Sequence, residues 1–139
     1  MKKLGWSMLL MLMSSTAWGC ELSVQEGWLR LPPPMSDTAA AYMVLKNGCA
    51  ETKVIKRVTS PAAKMVMMHD ADMRGISDWT LAPQQSVAFK PLEKHIMLMG
   101  LKQAFHVGGT IPFTIYFKDG SEQGVDVVVK DMRMDGHRM

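Results

Sequence analysis

From Glu21 onward the chain alternates apolar and polar positions in short runs rich in Val, Ile, Thr and aromatic residues, broken by Pro, Gly and Asp at intervals of about ten residues. A period of two marks a strand with one buried face. The runs predict strands over Leu22 to Leu31, Ala40 to Lys46, Thr52 to Thr59, Met65 to His69, Ser86 to Lys90, Ile96 to Leu101, Ile111 to Lys118 and Gly124 to Lys130. No stretch carries the period of a long helix. Asp119-Gly120, between the last two runs, predicts a tight primed hairpin turn because such a turn wants residues that tolerate positive φ. Pro32-Pro33-Pro34 ends the first strand, since proline has no N–H to give a ladder, and a loop follows. Trp28, Tyr42, Phe89, Phe113, Tyr116 and Phe117 fall on strand positions and are expected in the core or on strand faces. The whole implies an all-β sandwich or barrel, and 139 residues suffice for one such domain.

The two ends depart from this pattern. Lys2 and Lys3 precede an apolar run from Leu4 to Met13, then small and polar residues up to Ala17-Trp18-Gly19, which predicts a signal peptide over residues 1–19 cut before Cys20. The run is about ten residues, short of the roughly 20 a membrane span needs. Export to the periplasm follows, with the domain over residues 20–130. Residues 131–139 are polar, lack strand alternation and are expected to form a flexible tail. Two cysteines in an exported chain usually pair, so Cys20 and Cys49 are expected to form a disulfide. Lipid attachment at Cys20 is the lesser alternative, because Ala17 and Trp18 make a poor lipobox.

Composition narrows the function. The formal charge of +3 falls to about +1 once Lys2 and Lys3 are removed, which leaves no nucleic-acid footprint and restricts membrane contact to that made through a partner. Methionine is in surplus, with 15 Met against 12 Leu, the reverse of ordinary usage. Neither a Gly-x-Ser-x-Gly elbow nor a His-Glu-x-x-His pair occurs, and no further thiol stands near a histidine, so an enzyme is not expected.

The surplus is patterned. Two predicted strands carry mirror-image sequences, Met65-x-Met67-x-His69 and His95-x-Met97-x-Met99. Alternation puts Met65, Met67 and His69 on one face of their strand and His95, Met97 and Met99 on one face of theirs, with Val66, Met68, Ile96 and Leu98 turned toward the core. A single Met is more often a core gap-filler, but soft donors sorted to one side of both strands point to a metal. Thioether and neutral imidazole suit Cu(I). A blue-copper centre would need a thiolate beside two His, and both cysteines lie far from His95 in sequence; structural zinc would need four Cys or His ligands. His106 falls in a loop and is expected at the surface. Asp70 and Asp72 beside His69 receive no role.

These residues resemble the PCu(A)C family of periplasmic copper chaperones. The matching stretches are Gly27-Trp28-Leu29-Arg30 with Pro32-Pro33-Pro34, Ala39-Ala40-Ala41-Tyr42-Met43, Ser60-Pro61-Ala62-Ala63, Met68-His69 and, most specifically, Lys94-His95-Ile96-Met97-Leu98-Met99-Gly100-Leu101. The resemblance implies a cupredoxin-like Greek-key β-sandwich that carries Cu(I) toward the CuA centre of cytochrome oxidase. It implies His69, His95 and Met97 as ligands and, as partner, an oxidase subunit or another periplasmic copper chaperone. Where the family places a further Met between the two histidines, this chain has Thr80, and only 25 residues lie between His69 and His95. Met73 is the first substitute for that ligand, with Met67 or Met99 second. Met132, Met134, His137 and Met139 in the tail form a possible second site. Scavenging or storage of copper for tolerance is the alternative to delivery.

Overall fold

The computed structural model describes residues 20–131. Those residues form ten strands and no helix: β1 (Leu22–Arg30), β2 (Thr38–Asn47), β3 (Lys53–Thr59), β4 (Ala63–His69), β5 (Gly75–Ile76), β6 (Trp79–Leu81), β7 (Ser86–Phe89), β8 (His95–Leu101), β9 (Thr110–Phe117) and β10 (Glu122–Lys130). Every strand read from the alternation is present, with ends differing by one or two residues. The short β5 and β6 were not foreseen, because two or three residues are too few to display a period. The segment expected to be a signal peptide, residues 1–19, and the tail methionines and His137 lie outside the described residues.

Hydrogen bonding runs β5-β4-β8-β2-β1-β10-β9-β3-β6, with β7 added to the second half of β2. β2 therefore serves two neighbours: Thr38 to Ala41 pair with β8, and Met43 to Lys46 pair with β7. β1 is antiparallel to β2 and parallel to β10. A bulge between Gln25 and Trp28, with Glu26 at φ 54°, bends β1. The path curls until β3 packs on β4, giving a nearly closed sandwich.

β10 shows the physics most plainly: exposed and buried positions alternate without a break, and Gln123, Val125, Val127 and Val129 face inward. The three valines meet Leu29, Met43, Leu45, Ile55, Leu81, Phe89, Ile96, Leu98, Phe113 and Ile115 in one apolar core. The Gln123 side chain ties the start of β1, accepting from the Leu22 N–H at 2.9 Å and donating to the Leu22 carbonyl at 2.8 Å. Cys20 and Cys49 are joined by a disulfide. Asn47 holds the adjoining corner: its carbonyl oxygen accepts from the Cys49 N–H, and its amide donates to the carbonyls of Glu51 and Leu81.

One turn differs from expectation. Of the loop between β9 and β10, only Gly120 has positive φ, at 93°, and its N–H donates to the Phe117 carbonyl. The connection is thus a three-residue loop closed by a glycine bulge, not a primed two-residue turn. Asp119 stays out of the left-handed region because its carboxylate is engaged, accepting from the Ser121 N–H and hydroxyl and pairing with Lys53 at 3.1 Å. Those bonds hold its carboxyl at about 2, well below the ordinary value.

Candidate metal centre

The mirror-image sequences meet. β4 and β8 are antiparallel neighbours, and their register sets Met65 opposite Met99, Met67 opposite Met97 and His69 opposite His95. Directly opposed residues share a face, with Cβ atoms about 5 Å apart, so these six side chains form three successive rungs on one side of the ladder. The intervening Met68, Ile96 and Leu98 are buried in the core, and Val66 packs against it. Mostly hydrocarbon covers one face, Met68 being the exception, and soft donors line the other.

The histidine rung is the closed end. His69 and His95 are only 8% and 9% exposed, and their rings meet edge to face with centroids 5.6 Å apart. The His95 Nδ1–H donates to the Glu93 carbonyl at 2.8 Å. A carbonyl can only accept, so the neutral ring carries its proton on Nδ1 and keeps the Nε2 lone pair free. The Nδ1 of His69 is buried and has no hydrogen-bond partner. A buried imidazole nitrogen left unsatisfied is costly unless something else takes it. Burial, and then the neighbouring His95, lowers the pKa of His69, while Asp70 opposes the shift. The ring is thereby biased to the neutral form that can bind metal.

Local structure fixes the surroundings. Asp70 caps the turn after β4, its Oδ1 accepting from the N–H groups of Asp72 and Arg74, so it shapes the loop and makes no hydrogen bond to the His69 ring. Met73 lies in this turn, 57% exposed and at φ 66°. Gly75 pairs with His69, and a Cβ there would fall 3.0 Å from the Met67 methyl carbon. The thioether arm of Met67 thus lies over Gly75 beside His69. On the other side Met97 faces Ala40 of β2 and lines a shallow groove with Arg30, Pro32, Pro33 and Thr38. Beyond it the Trp28 and Tyr42 rings pack at a tilt, 4.8 Å between centroids, under the Arg30 guanidinium.

Thr80 stands elsewhere, on β6 opposite Val54 of β3. His106 is exposed in a loop, as expected. The sequence separated the two faces of each strand but did not disclose that β4 and β8 are partners. A signal existed: in an antiparallel pair, opposed residue numbers have a constant sum, and the mirror patterns satisfy it for all three rungs. Gly75 escaped notice because its role depends on the side chain that crosses it. Among the described residues no three His, Cys, Asp or Glu side chains gather in a metal-binding group, so a metal on this ladder would take sulfur.

This architecture defines a cupredoxin-like β-sandwich of the PCuAC type. The copper-bound PCuAC domain from PmoF2 matches with a TM-score of 0.70 at 24% identity, covering 78% of this chain and 92% of that one. The CuI form of DR1885 from Deinococcus radiodurans matches with a TM-score of 0.67 at 25% identity, covering 86% and 87%. The family model described as "Putative lipoprotein LpqE-like" matches residues 22–129. The "Putative lipoprotein Lxx21020" of Leifsonia xyli subsp. xyli (strain CTCB07) is 30% identical over 118 residues, 79% of this chain and 70% of that protein. The chain belongs to the LpqE-like family, and the resemblance to PCu(A)C proteins read from its sequence holds.

Proposed function

We propose that this chain is an exported, non-enzymatic Cu(I) carrier whose ion is held by His69, His95 and Met97, with Met67 as the fourth donor. The observation that carries the reading is the opposed His69–His95 pair, with an unpartnered buried nitrogen on one ring and a free Nε2 on the other, next to the Met67–Met97 rung. Met67 is favoured over Met73 because the ladder already sets it opposite Met97, whereas Met73 sits in an exposed turn. Soft sulfur and neutral imidazole select a monovalent copper ion over hard cations. The CuI form of DR1885 supports the same ion, and the copper-bound PmoF2 domain the same metal.

The chemistry is ligand exchange. Thioethers carry no proton at physiological pH, so protons compete with the metal only at the imidazoles. The ladder is open at its methionine end, which lets a partner's ligands enter before the carrier's leave. The recipient we propose is a copper-accepting protein such as a cytochrome oxidase subunit with a CuA-type site, or another periplasmic copper chaperone. Residues 1–19 would direct export and be removed before Cys20. The lipoprotein names in the family also point to an exported protein, and the Cys20–Cys49 disulfide favours the reading in which Cys20 carries no lipid. The tail donors Met132, Met134, His137 and Met139 would gather copper from solution.

The test is anaerobic Cu(I) titration of the mature chain against a competing chelator, beside His95→Ala, Met97→Ala, Met67→Leu and Met73→Ala. Loss of affinity in the first three but not the fourth is expected. Equal affinity in all five proteins would overturn the reading.

A further inference from the structure

We propose that the Met65–Met99 rung is a second, outer Cu(I) position, through which the ion enters and leaves the histidine rung. This rests on the Cu(I) reading above and adds a site to it. Met65 and Met99 are directly opposed in the β4–β8 register, on the same face as the two inner rungs. Successive same-face rungs are about 6.6 Å apart along a strand, so the outer pair lies two rungs from the histidines, with Met67 and Met97 between.

Packing does not account for this pair. The core-facing side of both strands is already filled by Met68, Ile96 and Leu98, with Val66 against them. Met65 is instead 54% exposed, and Met99 is half-buried next to Thr38 of β2. An apolar, oxidisable side chain facing water gains little from burial, whereas two opposed thioethers are a pair of soft donors that takes Cu(I) and rejects hard cations.

The two positions differ in the way a transfer path needs. The inner rung offers buried imidazoles; the outer rung offers only exposed thioethers, so the outer ion is held more weakly. The Met67–Met97 rung borders both. An ion can exchange the outer pair for the inner one while staying bound to the middle sulfurs, remaining Cu(I) throughout with no proton or electron transferred. When both positions are filled, repulsion between the cations favours release of the more weakly held outer ion.

Cu(I) is diamagnetic, so the methionine methyl resonances of the full mature chain report each step of an anaerobic titration. The first equivalent is expected to shift the His69 and His95 ring signals with the Met67 and Met97 methyls, and further copper to shift the Met65 and Met99 methyls. Met65→Leu/Met99→Leu, which conserves volume, should lose that later step and keep the first. Met65 and Met99 methyls that stay put at every copper ratio would overturn the outer site. So would a double variant that keeps the wild-type stoichiometry, or later equivalents that move only the Met132, Met134 and Met139 methyls. Unmoved histidine rings would instead overturn the inner site, while the Met65 and Met99 signals still decide the outer one.

Discussion

His69 and His95 face each other across two antiparallel strands with their rings edge to face, 5.6 Å between centroids, at the buried end of a ladder that otherwise displays methionine. Burial, and then the neighbouring His95, disfavour protonation of His69. That ring is therefore set to offer a nitrogen lone pair and not charge.

That relationship fixes a pH dependence. Burial, followed by His95, places the pKa of His69 in the folded protein below its ordinary 6.5. A group whose pKa is lowered on folding contributes stability that is present above the unfolded value and is lost as pH falls through the folded one. Urea unfolding of the metal-free protein at a series of pH values should show stability declining below pH 6.5, and His69→Gln should flatten that decline. A His69 contribution that weakens as pH rises would contradict the assignment. Cu(I) affinity should fall over the same acidic window, where protons compete for the ring.

Removing a donor should weaken copper binding far more than folding. His95→Ala and Met97→Ala are each expected to lower Cu(I) affinity by about 100-fold or more, the upper end of what even outer partners of metal ligands cost. Chelator competition measures this, and a thermal melt of the metal-free variants should stay close to that of the wild type for the half-buried Met97.

Gly75→Ala probes Met67 indirectly. The new methyl would sit 3.0 Å from the Met67 Cε, and the flexible thioether arm would swing away from His69. Stability should change little, since Gly75 is exposed on a two-residue strand. Copper affinity should drop by about 10-fold, the scale of a misplaced supporting contact. An unchanged affinity would argue that Met67 is not a ligand.

The Cys20–Cys49 bridge spans 29 residues of sequence. In the chain-entropy account, a loop of that length is worth about 3 to 4 kcal/mol. Cys20→Ala/Cys49→Ala should therefore melt roughly 10 °C or more below the wild type. Neither cysteine is on β4 or β8, so its affinity for Cu(I) should match the wild type's.

Much of this was legible along the chain. Val125, Val127 and Val129 recur at every second position of a β-rich run that includes Asp126 and ends at Lys130, and a strand follows; Met65, Met67 and His69 share a parity and so share a face. Such inferences need only the two-residue period of an extended backbone. The turn at Asp119 was misread because its type depends on what the carboxylate bonds to, and Lys53 and Ser121 supply that from outside the dipeptide. β5 and β6 were missed because their pairing comes from β4 and β3 and not from their own sequence.

The candidate site divides in the same way. Periodicity by itself determined which donors lie together on each strand and that hydrocarbon backs them, since that is a property of one backbone and its own side chains. Tertiary structure alone decided that β4 and β8 are neighbours, that their register opposes His69 to His95, and that Gly75 leaves room for Met67. Pairing between strands is set by how the whole core closes, and that depends on contacts between residues distant in sequence.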